Sequence, residues 1–214
     1  MSEIRIKTLV VGMVGTNCYL VYDHETKRAV VIDPGDGAGQ IANMAVSLGL
    51  KPEAILLTHG HFDHIMAAKK LKETWNVPIY ACEKEIDVLT DGRKSLVAGY
   101  FREPYTITPD VTVKEGDELS IAGFTWKVFE TPGHTIGSCC YYIEKESVLF
   151  SGDTLFAGSY GRTDFPTGSG RQIAESVRRL LSTLPDDTMV YPGHMDTTTI
   201  GFEKKYNPLS GAME

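Results

Sequence analysis

Five of the six histidines in this 214-residue chain stand in three short segments, each directly behind a run of apolar, β-branched and aromatic residues. His59, His61 and His64 fall within Thr58-His59-Gly60-His61-Phe62-Asp63-His64. His134 lies in Thr131-Pro132-Gly133-His134-Thr135, and His194 in Tyr191-Pro192-Gly193-His194. A fourth segment, Ser151-Gly152-Asp153-Thr154, sets an aspartate in the same context. Loops leaving the ends of neighbouring strands converge, and imidazoles and carboxylates gathered there mark a metal site. A fold for this chain must therefore bring four strand ends to one edge.

The spacing divides the donors. His59 and His61 are two residues apart, so in extended backbone they project to one side and can share one cation. Asp63 and His64 follow where the chain turns into a helix, and the changed direction lets that pair reach a second cation. Imidazole with carboxylate suits zinc, with iron or manganese as alternatives. Cys18, Cys82, Cys139 and Cys140 all lie outside these motifs and read as small buried hydrophobes. Cys139 and Cys140, adjacent in a strand, point to opposite faces. His24, at the hairpin tip Asp23-His24-Glu25, has no ligand role.

The remaining sequence alternates strands with helices. Strands are expected at Ile4 to Val11, Cys18 to Tyr22, Ala29 to Ile32, Ala54 to Leu57 and Val77 to Ala81. Further strands are expected at Thr125 to Glu130, Ser138 to Ile143, Val148 to Phe150 and Met189 to Tyr191. Helical spacing runs over Gln40 to Leu48, Ile65 to Thr74, Glu83 to Thr90 and Arg171 to Leu184. Residues 91–110, with Pro104 and Pro109, are the candidate loop or lid over a site. The pattern is that of a layered α/β protein with mixed sheets, read as one domain over residues 1–214. Gly35 to Gln40 imitates a dinucleotide fingerprint, but Gln40 occupies the position that requires Gly or Ala.

The net charge of −7, with no Lys/Arg run longer than two, argues against a nucleic-acid partner. No apolar run approaches the roughly 20 residues of a membrane span. Leu9 to Val14 is short and broken by Gly12, unlike a signal peptide. A cytoplasmic enzyme acting on a small molecule is expected; oligomeric state is not readable.

Thr58 to His64 resembles the HxHxDH motif of the metallo-β-lactamase superfamily, and His134, Asp153 and His194 match its remaining ligands in order. The likeness extends from Asn17-Cys18-Tyr19 and Asp33-Pro34-Gly35 to Asn207-Pro208. It implies a four-layer αββα sandwich of two mixed β-sheets flanked by helices, with two divalent metals at one edge of the sheets. It further implies one metal on His59, His61 and His134, the other on Asp63, His64 and His194, and Asp153 bridging them. Asp63 and Asp153 are thereby the candidate catalytic carboxylates. Asp33 and Thr58 are candidates for orienting ligands, and Tyr160 and Arg162 for touching substrate.

Within the superfamily, Gly133 to Ser138, Ser151 to Phe156 and Gly161 to Asp164 resemble glyoxalase II (hydroxyacylglutathione hydrolase) in its short form. That likeness implies hydrolysis of acyl thioesters such as S-lactoylglutathione by a hydroxide held between the cations. Two departures stand out. The helical extension of the two-domain enzymes has no counterpart here. The Lys and Tyr that grip glutathione are matched by Arg162 and Asp164. Gly161 to Asp164 also resembles the persulfide dioxygenases, which use a single iron. A metal-binding protein without catalysis is the third reading, and a phosphodiester nuclease is disfavoured by the short, acidic chain.

Overall fold

Strands covered on both faces lose the alternation of apolar and polar residues, and their sequences become continuous apolar runs. Val30-Val31-Ile32 is such a run. Val30 and Ile32 enter one core and Val31 another, because successive side chains point to opposite faces. The structure, a computed structural model, describes residues 3–211.

The first sheet follows chain order: β1 (Ile4–Val11), β2 (Thr16–Asp23), β3 (Arg28–Ile32), β4 (Lys51–Leu56), β5 (Ile79–Cys82) and β6 (Val111–Val113). β1 to β3 form an antiparallel meander, and β3 to β6 pair in parallel. The second sheet holds β7 (Glu118–Ile121), β8 (Phe124–Glu130), β9 (Cys139–Ile143) and β10 (Val148–Gly152). A two-stranded hairpin, β11 (Leu155–Phe156) with β12 (Ser159–Tyr160), leaves its end, and β13 (Met189–Pro192) and β14 (Thr198–Thr199) complete the sheet. Its order is β14-β13-β10-β9-β8-β7, with β10 and β13 parallel and the other pairs antiparallel. Both sheets are mixed.

The core between the sheets joins Tyr19, Val21, Val30, Ile32 and Leu56 to Trp126, Tyr141 and Phe150. The outer face of the first sheet is covered by α1 (Ala38–Ser47), α2 (Phe62–Ile65) and α3 (Ala68–Trp75) through Ile41, Ile65 and Leu71. α4 (Ile86–Leu89) and α5 (Val97–Tyr100) follow β5. The outer face of the second sheet is covered by α6 (Gly170–Thr183) and α7 (Ile200–Tyr206) through Ile173, Val177, Leu180 and Ile200. Three apolar layers between four layers of elements make the αββα sandwich. Cys139 and Cys140 enter the central core and the α6 core respectively, opposite faces of β9 as expected.

Several expected elements need correction. The helix over Ile65 to Thr74 is two helices, because the Ala67 N–H leaves the helical ladder and donates to the Pro34 carbonyl at 2.9 Å. The helix over Glu83 to Thr90 begins as a 3₁₀ turn, Glu83–Glu85, before α4. The irregular segment 91–110 contains α5. β6, β7, β11, β12 and β14 are two to four residues long, too short for a periodic signal. α7, capped by the Thr199 hydroxyl accepting from the Phe202 N–H, also lay outside the sequence reading. Among the described residues no helix is long and apolar enough to cross a membrane.

Candidate metal centre

The ends of β3, β4, β8, β10 and β13 lie at one edge of the sandwich and carry Asp33, His59–His61, His134, Asp153 and His194 in the turns that follow. Buried hydrogen bonds across the two sheets hold that edge. Cys139 N–H donates to Thr58 O at 2.9 Å, and Tyr141 Oη–H donates to Leu57 O at 2.9 Å. From the other side, Asn17 N–H donates to Gly193 O at 2.7 Å and Tyr19 Oη–H to Pro192 O at 2.6 Å. Asn17 Nδ2 adds bonds to Pro192 O and Met195 O at 3.0 and 2.9 Å.

All seven sequence-predicted ligands meet. Donor atoms of His59, His61 and His134 lie within 4.8 Å of one another, as do those of Asp63, His64 and His194 and those of His59, His64 and Asp153. Asp153 stands between the two groups. Its Oδ2 is 3.5 Å from Nε2 of both His134 and His194, and its Oδ1 is 3.4 Å from His64 Nε2.

Hydrogen bonds behind the rings decide which nitrogen faces the centre. The Arg162 carbonyl can only accept, so His134 Nδ1, 2.7 Å away, carries the proton and Nε2 is left with a lone pair. Asp33 Oδ2 is 2.9 Å from His64 Nδ1 and fixes that ring likewise. Asp33 also accepts from the Thr58 N–H at 2.8 Å and the Thr58 hydroxyl at 2.6 Å. That hydroxyl, its proton committed, can accept from His59 Nδ1 at 3.2 Å. One carboxyl group thus orients a ring in each half of the centre. His61 instead turns Nδ1 towards His134 Nε2, at 2.9 Å. Asp63 is held by the Thr16 hydroxyl, which donates to its Oδ2 at 2.7 Å.

The donor set fits a pair of divalent cations. Nε2 of His59, His61 and His64 and Oδ1 of Asp153 are buried without a hydrogen-bond partner. Polar atoms left so are rare in native folds, and a cation at the centre would supply the Asp153 and His64 atoms with the missing partner. Burial, and then the neighbouring rings, push His59 and His61 well below the ordinary imidazole range, so both are neutral and able to ligate. Burial pulls His64 the same way, but Asp63, Asp153 and Asp33 outweigh it and move the ring well up. Burial also works against charge on His194, but its bond to Asp63 and the Asp153 charge raise it. Burial opposes ionisation of Asp63, yet the charge on His64 and the bond from His194 hold it well below the usual carboxylate range. A cation at that half would have to displace ring protons, so its binding would tighten as pH rises.

Close approach explains two of the glycines beside the ligands. A Cβ on Gly193 would meet Asp153 Oδ1 at 2.2 Å and His64 Cε1 at 2.7 Å. Gly152, at φ +50°, would meet Thr58 Oγ1 at 2.3 Å.

Glu85 was not identified from sequence, where it reads as an ordinary acidic residue opening a helix. It is 1% exposed, and its carboxyl accepts from Gly60 N–H at 2.8 Å, Gly137 N–H at 2.8 Å and the Thr135 hydroxyl at 2.9 Å. It ties the His59–His61 turn to the His134 turn. Burial pushes it up to about 7 against the pull of those three donors. Glu203 is the second omission. It is fully buried, accepts from Gly158 N–H and the Thr198 hydroxyl, and anchors the β11–β12 hairpin to α7. Asn207 Nδ2 bonds Ser159 O from the same side.

The centre opens into a cleft of about 370 Å³. Tyr160 and Arg162 both line it, with Phe62, Tyr100, Phe156 and Phe165. Leu96 and Tyr100 bring segment 91–110 to its wall.

A family model of the metallo-beta-lactamase superfamily matches residues 11–194. The chain belongs to the metallo-beta-lactamase superfamily. An uncharacterized protein of Aquifex aeolicus is 41% identical over 97% of this chain and 98% of its own. A superfamily protein of Haemophilus influenzae named hydroxyacylglutathione hydrolase GloC is 36% identical over 96% of this chain and 97% of its own. Among solved structures, BLEG-1 B3 metallo-beta-lactamase superposes with a TM-score of 0.91 at 38% identity, covering 97% of this chain and 100% of the other. A di-iron-bound form of TTHA1623 gives 0.84 at 35%, covering 94% and 98%. ETHE1 from Myxococcus xanthus gives 0.82 at 31%, covering 98% and 86%.

Two measurements test the superfamily site. Asp33→Ala removes the acceptor behind His64 and Thr58, and metal affinity should fall about 10–100-fold, a loss typical for groups behind metal ligands. Competition with a chromophoric chelator reads this, and an unchanged affinity would refute the role. Glu85 ionises at about 7 in the fold against 4.5 as the ordinary value. The folded state therefore carries no penalty below pH 4.5 and loses stability as pH rises through 7. Relative to Glu85→Gln, the metal-free wild type should lose on the order of 3 kcal/mol across that window in urea melts. A pH-independent difference would contradict it.

Proposed function

We propose that this chain is a metal-dependent thioester hydrolase of the glyoxalase II type, working with two divalent cations, zinc foremost. In this reading His59, His61 and His134 would hold one cation and Asp63, His64 and His194 the other, with Asp153 shared between them. The observation that carries it is the floor of the cleft, where seven donors converge and the His64 and Asp153 donor atoms are buried without partners. The likeness over nearly the whole chain to a protein named hydroxyacylglutathione hydrolase supports the thioester class.

Cations bound there would supply Lewis acidity towards a carbonyl oxygen and lower the pKa of water from 15.7 to about 7. The protein's own part is orientation and proton handling. Asp33 and Thr58 fix His64 and His59, and the Arg162 carbonyl fixes His134. Asp63 and Asp153 both face the cleft, where their carboxylates can accept hydrogen bonds from water. Among the described residues no cysteine thiol competes as nucleophile. All four cysteines are buried, and burial pushes every one of their thiols up. A thiol leaves with a pKa of roughly 8.5, so the reaction needs no strong general acid, in keeping with a cleft that offers none beyond the ligands.

A mononuclear iron persulfide dioxygenase is the second reading, motivated by the resemblance of Gly161 to Asp164 to that group. Metal content per chain and turnover, measured together, separate the alternatives. Two cations per chain, with cleavage of S-lactoylglutathione or another acyl thioester that is lost on chelation and regained on metal return, is the expected result. One iron per chain with oxygen uptake on glutathione persulfide would establish the dioxygenase. Full metal loading with no thioester cleaved faster than in buffer would leave a binding protein.

A further inference from the structure

Around the candidate centre the cleft carries one lysine or arginine, Arg162, among the described residues. Its guanidinium is already engaged. Nε and a terminal nitrogen donate to the two Asp164 oxygens at 2.7 and 2.6 Å, and the group stacks 4.0 Å from the centre of the Phe165 ring. Two of its five N–H groups are used there, and the Asp164 carboxylate cancels its charge at the cleft wall. The other charged groups on the lining, apart from the histidines, are Asp63 and Asp153.

The walls are apolar. Phe62 and Tyr100 stack with centroids 4.3 Å apart, and Val14, Leu96, Phe165 and Met195 complete the mouth. Val14, Tyr100 and Met195 are 47%, 54% and 62% exposed, a concentration of bare apolar surface at a single opening. Leu96 and Met195 both hold φ of 66°, a left-handed backbone that side chains with a Cβ rarely adopt. Such strain persists where the surroundings enforce it, and it clusters at ligand clamps. Here it sets two apolar side chains on the cleft wall.

We infer, on the basis of the thioesterase reading, that the cleft selects acyl thioesters with uncharged, apolar arms and does not grip the carboxylates of glutathione. Glutathione carries two carboxylates and an ammonium group. Asp164 neutralises the one guanidinium on the lining, and the rest of the mouth offers a carboxylate only the hydroxyls of Ser159, Tyr100 and Tyr160 beside the histidines of the centre. Affinity then comes from buried hydrocarbon. Each methylene added to the acyl chain should raise kcat/KM about fourfold until the cleft is filled.

The test compares S-lactoylglutathione with S-lactoyl-N-acetylcysteamine, which keeps the reacting bond and lacks both carboxylates. A butyryl, hexanoyl and octanoyl series on N-acetylcysteamine follows, using the metal-loaded wild-type protein. The two lactoyl thioesters should differ less than about threefold in kcat/KM, and butyryl to hexanoyl, two methylenes, should gain about sixteenfold. Asp164→Asn, which releases Arg162, should lower KM about fivefold for the glutathione thioester alone. A tenfold or greater preference for the glutathione thioester, with a flat acyl series, would overturn this inference while leaving the thioesterase reading intact. Failure to cleave any of the thioesters would overturn both.

Discussion

The Asp33 carboxyl group holds the two halves of the candidate centre in one geometry. It sits at the end of β3, in a left-handed backbone conformation at φ 48°, and is 2% exposed. One oxygen takes the Thr58 N–H, and the other takes the Thr58 hydroxyl and His64 Nδ1. Through Thr58 the same group reaches His59. Two rings from different turns are therefore referred to one rigid acceptor. A buried carboxyl in that role needs all its bonds made, because an orphaned partner in a low-dielectric interior is costly. The strained backbone is consistent with a position set by the site rather than by local preference.

Around that joint the fold supplies two kinds of support. Bonds across the sheets, from β2 to the His194 turn and from β9 to the Thr58 turn, hold strand ends that belong to different layers. Buried carboxyl groups then tie loops to loops: Glu85 joins the His59 and His134 turns, and Glu203 joins α7 to the β11–β12 hairpin. The hairpin brings Phe156, Ser159 and Tyr160 to the cleft, so the C-terminal helix shapes the opening without touching its floor.

Much of this was legible in sequence because metal donors are chemically conspicuous and their positions behind strands are physically constrained. The HxHxDH segment and three lone His or Asp turns named the seven side chains that meet, and runs rich in Val, Ile, Leu and Tyr marked the longer strands. Glu85 was not legible, since an acidic residue at the start of a helix is ordinary until the fold brings Gly60 and Gly137 to it. Gly193 and Gly152 read as turn residues, although the structure gives them a different reason, the room that Asp153, His64 and Thr58 require. The split of the helix after His64 depends on Pro34, about thirty residues earlier, and no local pattern encodes it. From sequence Arg162 is a candidate for touching substrate. The structure shows the ion pair with Asp164 and sets the residue on the cleft wall.

The central claim is that seven side chains hold two cations side by side. Anomalous diffraction from crystals grown with zinc or manganese tests it most directly. Two peaks are expected, one against His59, His61 and His134 and one against Asp63, His64 and His194, with Asp153 in contact with both. A single peak, or peaks remote from Asp153, would contradict the account.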